Sequence, residues 1–172
     1  MRIIAGSHRG RRIAAPRGRT TRPTSDRVRE NAFNLIGPVD GAEVIDLFAG
    51  SGALGLEALS RGATRATFVE SDRGACRVVN SNLDSLGLPG TVRCQDVARA
   101  LAQEPGTFDL VLCDPPYDYD LGRIAPALPR LLRPGGLLVL ESTSRRDPPE
   151  LPGLAVRTSR VYGSARLTLY EL

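Results

Sequence analysis

The segment VLCDPPYD at residues 111–118 places an acid, two prolines and an aromatic residue directly after a short apolar run. Proline has no N–H group to donate, so the hydrogen bonding of a strand must stop at Pro115. The residue before a proline is held extended, which fixes the direction in which Asp114 presents its carboxylate. The motif predicts either a stiff turn or a rigid group made of a carboxylate, a free backbone carbonyl and the Tyr117 ring.

A second motif, DLFAGSGALG, begins with the acid Asp46. Its glycines Gly50, Gly52 and Gly55 spell G-x-G-x-x-G between a predicted strand and a predicted helix, which lets the backbone approach a ligand closely. Glu70 ends the next predicted strand, where a carboxylate can bind both hydroxyls of a ribose. This combination indicates a cofactor that contains adenosine, and it fits NAD as well as S-adenosylmethionine.

Acids also follow other predicted strands. Asp96 ends the third strand, where its side chain can reach the amine of an adenine, cap the next helix, or do both. Open parallel sheets bind ligands outside the carboxyl ends of their strands, so Asp46, Glu70, Asp96 and Asp114 are expected along one edge. Because the first and fourth strands are neighbours in the usual order, the Asp-Pro-Pro-Tyr motif is expected beside the glycine loop.

Alternating strands and helices are needed to position these residues, and the sequence has that pattern from residue 42 onward. The predicted strands are EVIDLF, ATFVES, TVRCQD, FDLVLCD and LLVLES, with helices between them and the last helix near residues 124–132. A type II′ hairpin signal, Gly163-Ser164, separates two further β-prone runs. The predicted fold is α/β: a doubly wound, mostly parallel, seven-stranded Rossmann-like sheet with a C-terminal antiparallel hairpin and an N-terminal β-ribbon arm.

Positive charge is concentrated at the start of the chain. The 172 residues carry a net charge of +4, yet the first 30 residues alone contain nine arginines against Asp26 and Glu30. We therefore predict that residues 1–22 form a basic arm that binds a polyanion, although a solvated tail is the alternative. Residues 23–172 are predicted to form one domain that begins with a helix.

The remaining composition narrows the class of protein. No segment approaches the length of a membrane span, and the N-terminus lacks the apolar core of a signal peptide, so a cytoplasmic protein is expected. Cys76, Cys94 and Cys113 show no metal-ligand spacing and are predicted to be reduced core residues. His8 has no second histidine to pair with, so neither a metal site nor a histidine-based catalytic triad is expected.

Taken together, DLFAGSG, VESD, CQD and VLCDPPY resemble the class I amino-methyltransferases that use S-adenosylmethionine. Their Asp-Pro-Pro-Tyr signature is typical of enzymes that methylate exocyclic amines of bases. The segments RIIAGSHRGRRI, RPTSDRVRENAFNLI, DLFAGSGALGLEALSRGA and RVYGSARLTLYE are similar to the RsmD family of bacterial ribosomal RNA methyltransferases. One departure is Ala5-Gly6, where that family usually has Gly-Gly.

The resemblance implies an activity: methyl transfer from S-adenosylmethionine, with S-adenosylhomocysteine as product, to the N2 amine of a guanine in 16S ribosomal RNA. The expected partner is ribosomal RNA within a small-subunit particle, although naked RNA stays open. The enzyme is expected to be a monomer that needs no metal and no membrane.

The resemblance also implies roles for individual residues. Asp114 and the carbonyl of Pro115 would accept hydrogens from the amine, next to Pro116, and Tyr117 would stack on the extruded base. The expected cofactor-binding residues are Asp46, Phe48, Ala49, Gly50, Ser51, Gly52, Glu70, Ser71, Asp96, Val97 and Asp114. The expected RNA-binding residues are Arg9, Arg11, Arg12, Arg17, Arg19, Arg22 and Arg27.

Three other functions are compatible with parts of the pattern. An NAD-dependent oxidoreductase would share the glycine loop, but no lysine and no histidine beyond His8 is present to handle a hydride acceptor. A non-catalytic RNA-binding module would not need an intact Asp-Pro-Pro-Tyr motif. An adenine-N6 DNA methyltransferase would use the same catalytic motif, and it is the main alternative.

Overall fold

A seven-stranded sheet lies at the centre of the protein in the computed structural model, which describes residues 1–16, 25–103 and 106–172. The strands are β1 Glu43–Leu47, β2 Arg65–Glu70, β3 Gly90–Cys94, β4 Phe108–Cys113, β5 Leu132–Thr143, β6 Ala155–Tyr162 and β7 Ala165–Glu171. Their order is β3-β2-β1-β4-β5-β7-β6, in which the first five strands are parallel and β7 is antiparallel to both of its neighbours. The sheet confirms the predicted fold class and the neighbouring positions of β1 and β4.

Helices cover both faces of the sheet. The α-helices are α1 Asp26–Ile36, α2 Ala53–Ser60, α3 Arg73–Leu86 and α4 Val97–Gln103. One apolar cluster joins α2 and α3 to one face, and a second joins α4 and the segment around Leu128 to the other, as a doubly wound fold requires. None of the helices in the described part of the chain has the length and apolar character needed to span a bilayer.

Local signals account for the ends of several elements. The Ser25 side chain caps α1 by accepting a hydrogen bond from the Val28 N–H at 3.2 Å, and the helix ends at Gly37. At the C-terminal hairpin, Gly163 has a φ of 63° whereas Ser164 stays at negative φ. This agrees with the predicted type II′ turn, whose first central residue alone needs a positive φ.

The region before β5 differs from the prediction. Instead of an α-helix, residues Ala125–Leu131 form a 3-10 helix, because Pro126 and Pro129 lack the N–H groups that an α-helix would use. Strand β5 begins at Leu132, five residues earlier than expected, and its pairing with β4 shifts register between Phe108 and Leu110. The irregularity lies at the end of the sheet that is opposite the carboxyl ends of the parallel strands.

The prediction that all three cysteines are reduced core residues is wrong for two of them. Cys76 in the first turn of α3 and Cys94 at the end of β3 form a disulfide, with their Cα atoms 5.9 Å apart. The first turn of α3 lies beside the end of β3, which brings together two cysteines that are 18 positions apart in the sequence. Cys113 is free and buried, as predicted.

The N-terminal loop, residues 1–13, packs on the helices. One isolated β-bridge joins Arg2 to Arg12, so the β-ribbon arm stays a prediction. Ile3 and Ile13 are 1% and 5% exposed and belong to the main core. The His8 ring lies in the turn of the loop, where its Nε2 is 2.9 Å from the carbonyl oxygen of Leu86 at the end of α3.

A buried ion pair holds the N-terminal loop in place. Glu57 in α2 accepts hydrogen bonds from the backbone N–H groups of Ile4 and Ala5 at 2.8 and 2.9 Å. Its Oε2 also lies 3.6 Å from Nε of Arg29 in α1, and neither of these two charged side chains is exposed at all. Arg29 in turn donates from Nη2 to the carbonyl oxygen of Arg2 at 2.5 Å. The first residues of the chain are therefore part of the folded core.

Gly6 makes the close approach between the loop and α2 possible. Its φ is 81°, and a Cβ atom at this position would lie 1.8 Å from the backbone oxygen of Ser60. A side chain at position 6 would push the loop off α2, so glycine is required there. The departure itself falls on Ala5, whose N–H bonds to Glu57.

Candidate active site

A cavity of about 860 Å³ opens at the carboxyl ends of the parallel strands. Asp46, Asp114 and Glu141, which belong to or directly follow β1, β4 and β5, line it together with Glu70 at the end of β2. The other predicted residues that line the cavity are Arg27, Phe48, Ala49, Gly50, Ser51, Ser71, Asp96, Val97, Pro115, Pro116 and Tyr117. The structure thus brings together in one cavity all of the predicted cofactor-binding and catalytic residues except Gly52.

Asp46 at the end of β1 fixes the glycine loop that follows it. The buried Asp46 carboxylate accepts a hydrogen bond from the N–H of Gly55 at 2.9 Å, which links the end of β1 to the start of α2. Burial raises the pKa of Asp46 from 3.8 to about 7; the hydrogen bond from Gly55 lowers it, and the negative charges of Asp114 and Glu70 raise it further. A cation bound in the cavity would favour the ionised form of Asp46.

The loop leaves open space for a ligand at Gly50. Its φ is 57°, and a Cβ atom there would have no neighbour closer than 4.0 Å, so the missing side chain adds to the volume of the cavity. The preceding Phe48 also has a positive φ, 63°, which bulky residues adopt at a cost of about 1–3 kcal/mol. Gly52 lies beneath the loop as the N-cap of α2 and packs against Val79 instead of lining the cavity.

Glu70 is fixed by the loops on both sides of it. Its Oε2 accepts from the N–H of Gly50 and its Oε1 from the N–H of Asp72, both at 2.8 Å. The Ser71 hydroxyl also donates to Oε1, at 3.4 Å, so these bonds fix the orientation of the carboxylate at the wall of the cavity.

Aromatic and acidic side chains also line the cavity. Asp96 caps α4 by accepting from the Arg99 N–H at 3.2 Å, and its Oδ2 lies 3.8 Å from Arg123. Phe48 and Tyr119 meet edge to face with their ring centroids 4.7 Å apart. The Tyr119 hydroxyl is buried and has no hydrogen-bond partner within the described residues, so a polar ligand group would satisfy it.

The Asp-Pro-Pro-Tyr motif lies directly beside the glycine loop. The N–H of Asp114 donates to the carbonyl of Leu47 at 3.4 Å, which ties the start of the motif to the end of β1. The chain then turns, with the N–H of Tyr119 donating to the Pro116 carbonyl at 2.9 Å. Pro115 is buried, whereas the Tyr117 side chain is 49% exposed at the rim of the cavity. The motif therefore combines a carboxylate inside the cavity with a ring at its mouth.

Several parts of the cavity wall were not predicted from the sequence, among them Tyr119, Glu141 and the turn between β6 and β7. Glu141 on β5 is 8% exposed and lines the cavity beside Asp114. The turn between β6 and β7, represented by Tyr162 and Gly163, also lines the cavity, and Tyr162 packs against a cluster that includes Val28 of α1. The available signal for Glu141 was its position: like Glu70 and Asp114, it ends an apolar run.

The predicted RNA-binding arginines fall into three groups. Arg9, Arg11 and Arg12 are exposed on the N-terminal loop, outside the cavity, and Arg27 lines the cavity at the start of α1. Arg17, Arg19 and Arg22 lie outside the described residues. Within residues 1–16, 25–103 and 106–172, no group of three or more histidine, cysteine or acidic side chains is arranged to hold a metal ion.

Comparison with known proteins gives a consistent result. Residues 1–171 match the family described as conserved hypothetical protein 95. The chain is 37% identical to ribosomal RNA small subunit methyltransferase D of Escherichia coli strain K12, covering 99% of this chain and 89% of that protein. It is 36% identical to the protein of the same name from Haemophilus influenzae, covering 83% and 78% of the two chains.

Solved structures resemble the protein over its whole length. The Escherichia coli protein yhhF superimposes with a TM-score of 0.87 at 36% identity, covering 99% of this chain and 96% of that one. The Thermus thermophilus protein TTHA0928 superimposes with a TM-score of 0.83 at 34% identity, covering 100% and 99% of the two chains.

Proposed function

Since this chain belongs to the family of ribosomal RNA small subunit methyltransferase D, we propose that it transfers a methyl group from S-adenosylmethionine to the N2 amine of a guanine in 16S ribosomal RNA. The proposal rests mainly on one observation. The Asp114 carboxylate lines the same cavity as a second group, the Glu70 carboxylate with the Gly50 N–H that is bonded to it, at the carboxyl ends of adjacent strands. The first group fits an exocyclic amine, and the second fits the adenosine of the cofactor.

The residues that would hold the cofactor suit its chemistry. Glu70 would accept hydrogen bonds from the ribose hydroxyls, Gly50 would allow close approach of the backbone, and Asp96 and Tyr119 would face the adenine end. Several carboxylates in the cavity complement the positive charge of a sulfonium. When bound, S-adenosylmethionine supplies the methyl group on a positively charged sulfur, which leaves as a neutral thioether.

Guanine N2 is a poor nucleophile because its lone pair is delocalised into the ring. If the Asp114 carboxylate and the Pro115 carbonyl each accept one hydrogen of the amine, the nitrogen becomes more tetrahedral and its lone pair is directed at the methyl group. The same carboxylate stabilises the positive charge that develops on the nitrogen and can take the proton that the nitrogen loses. Tyr117, at the rim, would stack on the base after it leaves the RNA stack.

A methyl-transfer assay tests the proposed function. The protein would be incubated with methyl-labelled S-adenosylmethionine and either small-subunit particles or naked 16S RNA from a bacterium that lacks the corresponding gene. The RNA would then be digested to nucleosides and analysed by mass spectrometry. N2-methylguanosine at one position is the expected product, whereas methylation of adenine N6 or of DNA alone would contradict the proposal.

Replacing Glu70 with alanine is expected to weaken the binding of S-adenosylmethionine about 10- to 150-fold, because hydrogen bonds to a charged group contribute roughly 1.5–3 kcal/mol. Titration calorimetry with the cofactor measures the change. Asp84→Ala, which removes an exposed acid from α3, is the matched control and should bind as the wild type does. Equal affinities in the two variants, or tight binding of NAD by the wild type, would contradict the assignment.

We further propose that residues 1–22 contact the RNA, with the exposed Arg9 and Arg12 near phosphates. Neutralising both in Arg9→Gln/Arg12→Gln should reduce the slope of log affinity against log salt by about 1.4–1.8, since each phosphate contact contributes 0.7–0.9 to that slope. RNA affinity measured over a range of salt concentrations gives the slope. Arg65→Gln/Arg130→Gln removes two exposed arginines elsewhere and serves as control; an equal change in both double variants would refute a specific contact.

A further inference from the structure

We infer that Glu141 selects guanine as the substrate base by accepting the hydrogen of its N1–H group. The inference rests on the proposed function, because it concerns the base whose N2 amine meets Asp114. It assigns a recognition role to a residue on β5, a strand that contributes no other residue to the cavity among those described.

The pairing of β4 with β5 places Glu141 beside Asp114. Cys113 pairs with Leu140 in the parallel register, so the next residue of each chain segment lies at the same level, on strands about 4.8 Å apart. Leu140 and Cys113 both face the α4 side of the sheet, and alternation turns Glu141 to the other side. Glu141 accordingly lines the cavity and contacts the void beside Ala32 of α1.

The two acids match the Watson–Crick edge of guanine. That edge presents the N2 amine and the N1–H group side by side, so both neighbouring positions are hydrogen-bond donors. Carboxylates accept hydrogen bonds and, when ionised, donate none. With Asp114 and the Pro115 carbonyl engaged by the amine, the acceptor on the adjacent strand would meet N1–H, and enzymes that act on flipped bases commonly read this edge.

The same arrangement disfavours adenine. If its N6 amine took the place of N2, adenine would present the lone pair of N1 to the next position on the edge. A carboxylate opposite this lone pair would repel it, and two acceptors that face each other are costly in a buried site. Glu141, which is 8% exposed, would thus separate guanine from adenine where the catalytic motif alone does not.

The contact between Glu141 and the N1–H group can be tested with an analogue of guanine that lacks this donor. 2-Aminopurine keeps the amine at position 2 but has an acceptor at N1 in place of the N1–H donor. Small-subunit particles would be reconstituted with RNA that carries either guanine or 2-aminopurine at the nucleotide methylated in the assay above. Wild type, Glu141→Ala and Glu141→Gln would be compared by kcat/KM, with Glu150→Ala, an exposed acid, as matched control.

The wild type and Glu150→Ala are expected to prefer guanine by about 10- to 100-fold, the usual discrimination from one good base contact. Glu141→Ala should lose this preference to within about threefold, mainly through a lower kcat/KM on guanine. Glu141→Gln, which keeps the shape of the side chain, can donate from its amide to N1 of 2-aminopurine. Its activity on the analogue should therefore rise relative to guanine.

Cofactor affinity, measured in parallel, shows whether each variant is folded. If Glu141→Ala does not fold, the activity of Glu141→Gln on 2-aminopurine relative to guanine shows whether Glu141 contacts N1. An unchanged preference for guanine in the folded variants would overturn the role of Glu141 while the proposed function stands. A wild-type enzyme that methylates no guanine at N2 would overturn the proposed function, and this inference with it.

Discussion

The Asp114→Ala variant is expected to lose at least about 100-fold in kcat at saturating cofactor and RNA, the usual cost of removing one group that stabilises transition-state charge. Asp114 lines the cavity beside the glycine loop, and its backbone N–H, which the substitution keeps, bonds to Leu47. The loss should therefore fall on the chemical step and leave the fold intact. Single-turnover methyl transfer measures it directly.

The control for this variant is Asp118→Ala. Asp118 is an exposed acid four residues further along the same segment and does not line the cavity, so its removal changes the charge without removing the proposed contact. Both variants should bind S-adenosylmethionine within a few-fold of the wild type. If Asp114→Ala turns over at nearly the wild-type rate, the amine is not oriented by this carboxylate.

The second large effect concerns stability. Glu57→Ala is expected to lower the free energy of unfolding by about 3–5 kcal/mol, because it breaks a buried ion pair and leaves the unexposed Arg29 side chain paired only with the half-exposed Asp26. The N–H groups of Ile4 and Ala5 lose their acceptor as well. For a chain of this length, the corresponding fall in Tm is roughly 6–20 °C. Urea unfolding and calorimetry measure the two quantities.

Two further variants separate the causes of that loss. Glu43→Ala removes a glutamate whose pair with Arg133 is more than one-third exposed on both sides, and it should cost no more than about 1 kcal/mol. Glu57→Leu/Arg29→Met removes both buried charges and should recover part of the stability. It should stay below the wild type because two backbone N–H groups remain without an acceptor. A Tm for Glu57→Ala close to that of Glu43→Ala would contradict the structural role of this ion pair.

Features that depend on local sequence were predictable. The strands, the α-helices and the C-terminal hairpin follow from periodicity, capping residues and the Gly163-Ser164 turn, so a mostly parallel sheet could be inferred. The neighbouring positions of β1 and β4 followed from the usual strand order of such folds. The acids at the ends of the predicted strands also indicated where the cavity lies, because open parallel sheets bind ligands outside the carboxyl ends of their strands. The 3-10 helix was missed because a periodic apolar pattern does not distinguish it from an α-helix, although Pro126 and Pro129 do.

Features that depend on distant pairing were not predictable in the same way. Glu57 is the one charged residue within α2, and Arg29 lies 28 positions before it on a different helix, so neither periodicity nor spacing reveals their contact. The Cys76–Cys94 pair depends likewise on how α3 returns over β3. Glu141 could have been found by extending to the fifth strand the reasoning that identified Asp46, Glu70 and Asp114.

The docking of the N-terminal loop has a consequence for biosynthesis. The residues that bind Ile4 and His8 follow them in the chain by 53 and 78 positions. At a translation rate of about 5–20 residues per second, His8 would wait roughly 4–16 s before Leu86 is even synthesised. Until those residues have been made, the loop residues that contact them lack their binding partners. Residues 1–13 are thus expected to reach their native position only after α2 and α3 have been synthesised, and contacts of such long sequence separation slow folding.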